Sequence, residues 1–152
     1  MMYQEVLEPR EKQRITRRVL EALPEWFEIP EARETYIREC ACCLFFASFD
    51  EEKPIGFICL KETGKDTVAI HVMGVLKEYH RRGIGTELFK KAREAARERG
   101  YSFLQVKTVQ MGWYEDYDRT NRFYLALGFK EFEVFPELWD EQNPCQIYVM
   151  AL

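Results

Sequence analysis

The stretch from Val75 to Gly100 constrains the fold of this chain more than any other. A β-branched segment, Val68–Val75, runs into a short basic loop with two glycines, and a helical pattern follows at once. Apolar residues recur every three or four positions in the helical part, which is typical of an amphipathic helix: Ile84, Leu88, Phe89, Ala92, Ala95 and Ala96. Gly100 supplies the stop signal. The pattern predicts a strand, a glycine loop and a helix in direct succession.

The loop itself predicts a phosphate-binding site. Gly83 and Gly85 lack a Cβ, so a ligand can approach the backbone amides closely there. These amides, from Gly83 through Ile84 and Gly85 to Thr86, stand at a helix N-terminus, where unpaired N–H groups and the macrodipole favour an anion. Arg81 and Arg82 add two cations. The alternative is a tight strand-to-helix turn with solvated arginines, because a lone Gly-x-Gly is weak evidence.

A Rossmann dinucleotide site is disfavoured, because Leu88 occupies the position of the third glycine in Gly-x-Gly-x-x-Gly. The segment His80-Arg81-Arg82-Gly83-Ile84-Gly85 instead resembles the pyrophosphate loop Q/R-x-x-G-x-G/A of the GNAT N-acetyltransferases. The preceding Val75-Leu76-Lys77-Glu78-Tyr79 is similar to that family's V-x-P-x-Y approach. His80 and Lys77 depart from the family pattern, but both departures leave the backbone cradle intact.

A second stretch strengthens the resemblance. Asn121-Arg122-Phe123-Tyr124-Leu125-Ala126-Leu127-Gly128-Phe129 is similar to the family signature N-x-x-x-x-Y-x-x-x-G-F, with one residue fewer between Asn and Tyr. The order of elements also resembles the family from about Cys43 to the C-terminus, whereas the first forty residues resemble it only loosely.

We therefore expect one α/β domain over residues 1–152, with a GNAT-like mixed, mostly antiparallel sheet and helices on both faces. The sheet should be splayed between two central parallel strands, at 67–75 and 102–109. The remaining elements follow from periodicity and turn signals: helices at 9–23, 30–40 and about 120–127, strands at 43–49, 55–62, 129–135 and 145–150, an irregular stretch at 110–118 and a loop at 136–144.

The resemblance implies acetyl-CoA as acetyl donor and places its reactive end between the splayed strands. Backbone amides near Met73, Gly74 and Val75 would hold the acetyl carbonyl, and Gly74 suits a bulge that opens the gap. Tyr124 would stand near the CoA sulfur as proton or hydrogen-bond donor; alternatively, its ring only packs. Asn121 would bind the pantetheine amide or the phosphates, unless it serves local hydrogen bonding.

A general base is less clear from the sequence. His71 precedes the cradle on the same strand as Met73 and Val75, so alternation places the three side chains on one face. An imidazole can collect a proton near neutral pH, although a lone strand histidine can equally be structural. Glu115, Asp116 and Asp118 are alternatives that would attract a cationic amine, unless they form a solvated loop.

The resemblance also implies an acceptor site between the first inter-helix loop and the last strands. Trp26, Phe27 and Trp139 are candidate walls of that site, and ordinary capping of the core is the alternative. Glu115 and Asp116 join them as candidate substrate-binding residues.

Charge and composition limit the classes of partner and the compartment that we expect for this chain. A formal net charge of −4 argues against a nucleic-acid binder, and no apolar run approaches the ~20 residues that span a bilayer. No signal peptide is visible, so we expect a cytoplasmic protein. Five cysteines include a Cys-x-Cys-Cys cluster but no Cys-x-x-Cys pair with a nearby histidine, so we expect packing cysteines and no metal. A homodimer is left open.

These observations together predict an acetyl-CoA-dependent N-acetyltransferase that acts on a small-molecule or peptide amine by direct transfer in a ternary complex. The rival is a non-catalytic acyl-CoA sensor or binding module that keeps the cradle without turnover. An acid and a base in the cleft would distinguish the enzyme from the sensor.

Overall fold

A computed structural model describes residues 1–152 as one seven-stranded sheet with four α-helices. The helices are α1 (Pro9–Glu21), α2 (Pro30–Cys40), α3 (Ile84–Glu98) and α4 (Glu115–Leu127). The strands are β1 (Met2–Glu5), β2 (Leu44–Asp50), β3 (Lys53–Glu62), β4 (Thr67–Val75), β5 (Phe103–Val109), β6 (Lys130–Asp140) and β7 (Asn143–Ala151). A short 3-10 turn, Lys77–Tyr79, leads from β4 toward α3.

The strands are ordered β1-β2-β3-β4-β5-β7-β6. Only β4 and β5 run parallel, and their pairing extends from Thr67–Phe103 to Ile70–Val106. The last five residues of β4 therefore have no partner on β5, although β5 continues beside β7 as far as Val109. The predicted mixed, mostly antiparallel sheet, splayed at its parallel pair, is confirmed.

Helices cover both faces of the sheet. Helix α1 packs on β3 and β4 with α2 beside it, and α3 packs on β2, β3 and β4. A Cβ on Gly74 would meet α1, whereas the side chain of the preceding residue, Met73, reaches the start of α3. Because successive strand residues point to opposite faces, α1 and α3 lie on opposite faces of the sheet. Between these layers, 31 buried residues form a hydrophobic core, in which the rings of Phe45 and Phe57 stack with centroids 5.3 Å apart. Burial of this apolar area is the main stabilising contribution to the fold.

Two boundaries differ from the sequence-based expectation by more than two residues. Helix α4 begins at Glu115, not near Thr120, so the second half of the stretch predicted to be irregular is helical. The sequence left open whether the acidic residues Glu115, Asp116 and Asp118 form a solvated loop. They lie in the first turn of α4, where their charge suits the positive end of the helix dipole. The predicted loop 136–144 is mostly strand, because β6 continues to Asp140 and pairs there with Asn143. Pro136 is tolerated since β6 is an edge strand.

The sequence pattern did not reveal strand β1. Its four residues pair with the outer edge of β2 from Met2–Phe49 to Glu5–Phe46. This short segment has no alternating apolar pattern of its own, and the pairing with β2 supplies its backbone hydrogen bonds.

Two further findings concern membranes and metals. None of the helices has both the length and the apolar character needed to cross a membrane. No group of three histidine, cysteine or carboxylate side chains comes together in a way that could hold a metal ion. All five cysteines are free, and only Cys42 is exposed.

Candidate active site

The unpaired end of β4 meets the start of α3, and this junction forms the centre of the site. A Cβ placed on Gly85 would lie 3.8 Å from the terminal methyl of Met73. The glycine loop and the open edge of β4, separate in sequence, therefore border one region. The role predicted for the backbone amides near Met73, Gly74 and Val75 stays a prediction.

The loop has the geometry of an anion site. Gly83 adopts the left-handed conformation (φ 76°) as N-cap of α3 and provides no side-chain cap, and Arg81 is also left-handed (φ 64°). The first intrahelical bond joins the Glu87 amide to the Gly83 carbonyl at 3.0 Å. The amides of residues 84–86 therefore have no acceptor within the helix.

The side chains around the loop differ in their exposure to solvent. Arg81 and Arg82 are exposed, and the Arg82 guanidinium lies 5.1 Å from the ring centroid of Tyr79. Ile84 is buried at 2% exposure, so it can offer a ligand only its backbone. Thr86 is half-buried.

The two departures from the GNAT loop pattern have structural partners. The His80 ring forms a 2.6 Å hydrogen bond between Nε2 and the carbonyl of Val75, which ties the loop to the end of β4. Lys77, where the family has proline, forms an ion pair with Glu25. Both residues therefore support the shape of the approach to the cradle.

The bulge in β4 lies at His71, and its assignment to Gly74 was wrong. Neighbouring residues Cys59 and Leu60 of β3 pair with Val72 and Ile70, which leaves His71 as the extra residue. Gly74 is regularly paired, and its missing side chain makes room for α1 instead. A Cβ there would lie 3.0 Å from both Val19 Cγ1 and Leu23 Cδ1.

This bulge also corrects the predicted alternation. An extra residue shifts every side chain before it by one position relative to those after it. His71 therefore points at α2, whereas Met73 points toward the start of α3. His71 does not share a face with Met73, as simple alternation predicted.

His71 lies between two residues of α2 that sequence reasoning missed, Tyr36 and Glu39. The Tyr36 ring meets the imidazole edge-on at 5.2 Å, and Glu39 Oε1 lies 3.4 Å from Nε2. Burial lowers the pKa of His71 from its ordinary value, and the nearby Glu39 carboxylate opposes that effect. A three-residue spacing placed Tyr36 and Glu39 on one helix face, but no sequence signal placed that face against β4.

Tyr124 lies deep in the molecule, at 6% exposure. Its ring packs against Phe129 and Tyr148 with centroids 5.7 and 6.3 Å away. Unlike the Tyr148 hydroxyl, the Tyr124 hydroxyl makes no hydrogen bond within the chain. Burial raises its pKa well above the ordinary phenol value, with a further contribution from Tyr36. The hydroxyl therefore stays protonated and can donate a hydrogen bond.

Of the two roles left open for Asn121, local hydrogen bonding is the one that its contacts favour. The side chain is fully buried and its amide is occupied on every side. Nδ2 donates to the carbonyls of Val109 (2.8 Å) and Tyr117 (2.7 Å), and Oδ1 accepts from the Tyr148 hydroxyl at 2.6 Å. The residue therefore joins α4 to the end of β5 and to the middle of β7.

Trp26 and Phe27, in the α1–α2 connection, contact α4 and α2 respectively. Trp26 Nε1 donates to the carbonyl of Asp116 at 3.3 Å, and its ring lies 6.2 Å from that of His80. The ring of Phe27 meets Tyr36 edge-on at 6.1 Å. An aromatic row therefore extends from the connection toward His71.

The other three candidate acceptor residues lie in different settings. Glu115 and Asp116 both form ion pairs with Arg119 one turn along α4, so their charge is directed at that guanidinium. Trp139 is 46% exposed on the edge strand β6 and not on a loop. The assignment of these three residues to substrate binding stays a prediction.

The sheet opens at its parallel pair, and a glycine-rich helix start lies beside the opening. This arrangement is that of a GNAT-like acetyltransferase, the class of protein that the motifs predicted. Residues 8–129 match the Acetyltransferase (GNAT) family. This match covers well over half of the chain, so the protein belongs to that family. The family match confirms the prediction of an N-acetyltransferase that uses acetyl-CoA as acetyl donor. No curated protein sequence matches the chain.

Solved structures share the fold at low sequence identity. A GNAT-family protein from Desulfovibrio desulfuricans superposes with a TM-score of 0.85 at 18% identity, over 99% of this chain and 98% of that one. The aminoglycoside 6'-N-acetyltransferase from Enterococcus faecium gives 0.77 at 18% identity, over 99% and 97%. The PaiA N-acetyltransferase from Thermoplasma acidophilum gives 0.73 at 17% identity, over the full length of both chains.

Proposed function

We propose that the protein transfers the acetyl group of acetyl-CoA directly to an acceptor amine while both substrates are bound. The observation that carries this proposal is the unpaired end of β4 beside the free amides of the α3 N-terminus. The opening can receive a thin acyl-pantetheine arm, and the amides can receive its pyrophosphate. The PaiA structure from Thermoplasma acidophilum, a complex with coenzyme A, supports this use of the shared fold.

In the proposed complex the backbone of the chain does most of the cofactor binding. The amides of residues 83–86 hold the pyrophosphate, and Arg81 and Arg82 add exposed positive charge. The amides near Met73, Gly74 and Val75, on the open edge of β4, polarise the acetyl carbonyl.

The chemistry requires a base and a donor. The neutral amine attacks the acetyl carbon, so a C–N bond forms while the C–S bond breaks, and CoA leaves as a thiolate. His71 takes the proton that the acceptor nitrogen loses. Tyr124 donates a hydrogen bond to the sulfur, since its raised pKa favours a neutral donor over complete proton loss. The products are an amide and CoA, with the proton on His71 until it passes to solvent.

The acceptor site is proposed to lie on the α1–α2 side of the sheet. His71 faces that side, where Phe27 and Tyr36 form the aromatic row that leads to it. Aromatic faces attract ammonium groups and apolar surface alike. We therefore propose an amine that is flanked by apolar or aromatic groups.

The test is a thiol-release assay with acetyl-CoA and a panel of primary amines, including aminoglycosides, polyamines, amino acids and short peptides. We expect turnover with at least one amine. The His71→Gln variant should lose this turnover and retain its affinity for CoA. Binding of acetyl-CoA without turnover on any amine would favour the sensor, and absence of CoA binding would contradict the cofactor site as well.

We also propose that the protein works in a reducing compartment such as the cytoplasm. All five cysteines are free thiols. Free thiols persist in reducing compartments, whereas they tend to form disulfides in oxidising ones.

A further inference from the structure

Glu39 and His71 form a pair that the function described so far does not use. Glu39 stands in the last turns of α2, and its Oε1 lies 3.4 Å from His71 Nε2. Nε2 is completely buried and makes no regular hydrogen bond. The carboxylate is the nearest charged group to this otherwise orphaned nitrogen.

The pairing depends on the bulge in β4. Because His71 is the extra residue opposite Cys59 and Leu60, its ring turns toward α2. There Tyr36 packs edge-on against the imidazole at 5.2 Å, and Glu39 follows Tyr36 by three residues on the same helix face. The ring is thus oriented by packing and by charge from one helix.

The carboxylate is itself held in place. Lys61 of β3 donates from Nζ to Glu39 Oε2 at 3.1 Å, which leaves Oε1 for His71. The Glu39 side chain is 32% exposed and the His71 side chain 16%. One oxygen therefore anchors Glu39 to the sheet while the other faces the imidazole.

This arrangement assigns different tasks to the two ring nitrogens. A carboxylate facing Nε2 favours the tautomer with hydrogen on Nε2, because only an N–H can donate to it. Nδ1 then carries the lone pair. Unlike Nε2, it is not among the completely buried atoms without a partner. The nitrogen that can take a proton is the one that remains accessible.

We propose that Glu39 is a positioning residue for the reaction: it orients the His71 ring, selects its tautomer and stabilises the imidazolium that forms when the acceptor loses its proton. The inference rests on the proposed role of His71 as base. The proton moves from the acceptor nitrogen to Nδ1, and the Nε2 hydrogen stays on the ring, facing the Glu39 carboxylate. Glu39 itself does not change protonation state.

The charged and titratable groups that face His71 come from three elements besides its own. Glu39 and Tyr36 belong to α2, Lys61 to β3 and Lys107 to β5. Burial lowers the pKa of His71, Glu39 raises it, and both lysines lower it. Glu39 is thus the group in this set that supports the charged ring.

The first experiment needs no acceptor. The pKa of His71 is measured by NMR titration of the ligand-free protein, and His71→Gln identifies its signal, because the chain has only two histidines. In Glu39→Gln the pKa of His71 should fall, because the supporting charge is gone. In Lys61→Met it should rise. An unchanged or raised value in Glu39→Gln overturns the inference, whether or not an acceptor is known.

A matched control uses the same substitution elsewhere on the helix. Glu34→Gln also lies on α2 but removes a carboxylate that pairs with Arg17, so the His71 titration should match the parent's. A shift in Glu34→Gln as large as that in Glu39→Gln would show a general effect of charge and overturn the specific pairing.

The second experiment uses the acceptor found in the thiol-release assay. Glu39→Gln should lower kcat by about tenfold or more and move the acid limb of the kcat/KM profile to lower pH, with unchanged KM for acetyl-CoA. Glu39→Asp, which keeps the charge, should recover part of the loss. A parent-like kcat and pH profile in a folded Glu39→Gln variant overturns the inference.

Discussion

Gly85 lies so close to Phe123 that a Cβ on Gly85 would stand 3.2 Å from Cζ of that ring. Gly83, two residues earlier, has nothing within 4 Å of the same position but adopts φ 76°. The two glycines of the loop therefore serve different ends. Gly85 permits the packing of α4 against the start of α3, whereas Gly83 permits the left-handed turn and leaves the amides open.

This difference makes Gly83 the better position for testing the cofactor site. A Cβ on Gly83 would meet no atom within 4 Å, and aspartate tolerates the left-handed conformation better than most residues. Its carboxylate would stand in a site for phosphate, so CoA affinity should fall by about tenfold or more, ~1.4 kcal/mol. Isothermal titration calorimetry measures the change.

Gly83→Asn is the matched control, since asparagine has nearly the same shape and tolerates the same backbone conformation without the charge. Its CoA affinity should exceed that of Gly83→Asp clearly. Equal affinities in the two variants would show that charge at this loop is irrelevant and that the anion site lies elsewhere.

Tyr124→Phe removes only one hydroxyl from a buried ring. Because the hydroxyl makes no hydrogen bond within the chain, no internal partner loses a bond, and the fold and CoA affinity should persist. Turnover should fall by about 10²-fold if the hydroxyl supports the leaving sulfur. Steady-state kinetics measure the turnover, and thermal melting measures the stability of the fold. A parent-like kcat in the variant would show that Tyr124 only packs and takes no part in the reaction.

Much of the fold follows from local patterns, and the errors have identifiable physical causes. The helical stripe from Ile84 to Ala96 and the glycine loop are short-range features, so periodicity was sufficient for them. The bulge at His71 depends on pairing with Cys59 and Leu60 across β3. No pattern within β4 alone could place it.

The candidate site shows the same division. The loop amides are set by backbone conformation near glycine and were predictable from spacing. Tyr36 and Glu39 enter the site only because α2 packs over β4, which is a tertiary relationship. Asn121 illustrates the converse, because a family motif suggested a ligand contact whereas the surrounding carbonyls and Tyr148 occupy the amide.

Asn121→Ala should destabilise the protein by about 2–4 kcal/mol, because it leaves the Val109 carbonyl and the Tyr148 hydroxyl without their partner in the interior. Urea unfolding monitored by fluorescence measures the loss. Arg122→Ala is the control, since the next residue is exposed and should change stability by less than about 0.5 kcal/mol. If Asn121→Ala were as stable as the control, the Asn121 amide would not support the fold. A role for Asn121 in cofactor binding would then be favoured.

The buried position of His71 also predicts how stability depends on pH. Its pKa is lowered in the folded protein, mainly by burial, relative to an ordinary value of about 6.5 in the unfolded chain. Below about pH 6.5 the unfolded state therefore binds more protons at this residue, so the contribution of His71 to stability is present above that pH and is lost on acidification.

Urea unfolding of the parent and of His71→Gln, at about pH 7.5 and about pH 5, tests this linkage. The parent should lose more stability between the two conditions than the variant, and His80→Gln, at the second histidine, controls for removal of a histidine as such. An equal or larger acid loss in His71→Gln would show that the imidazole is not held in its neutral form by the fold.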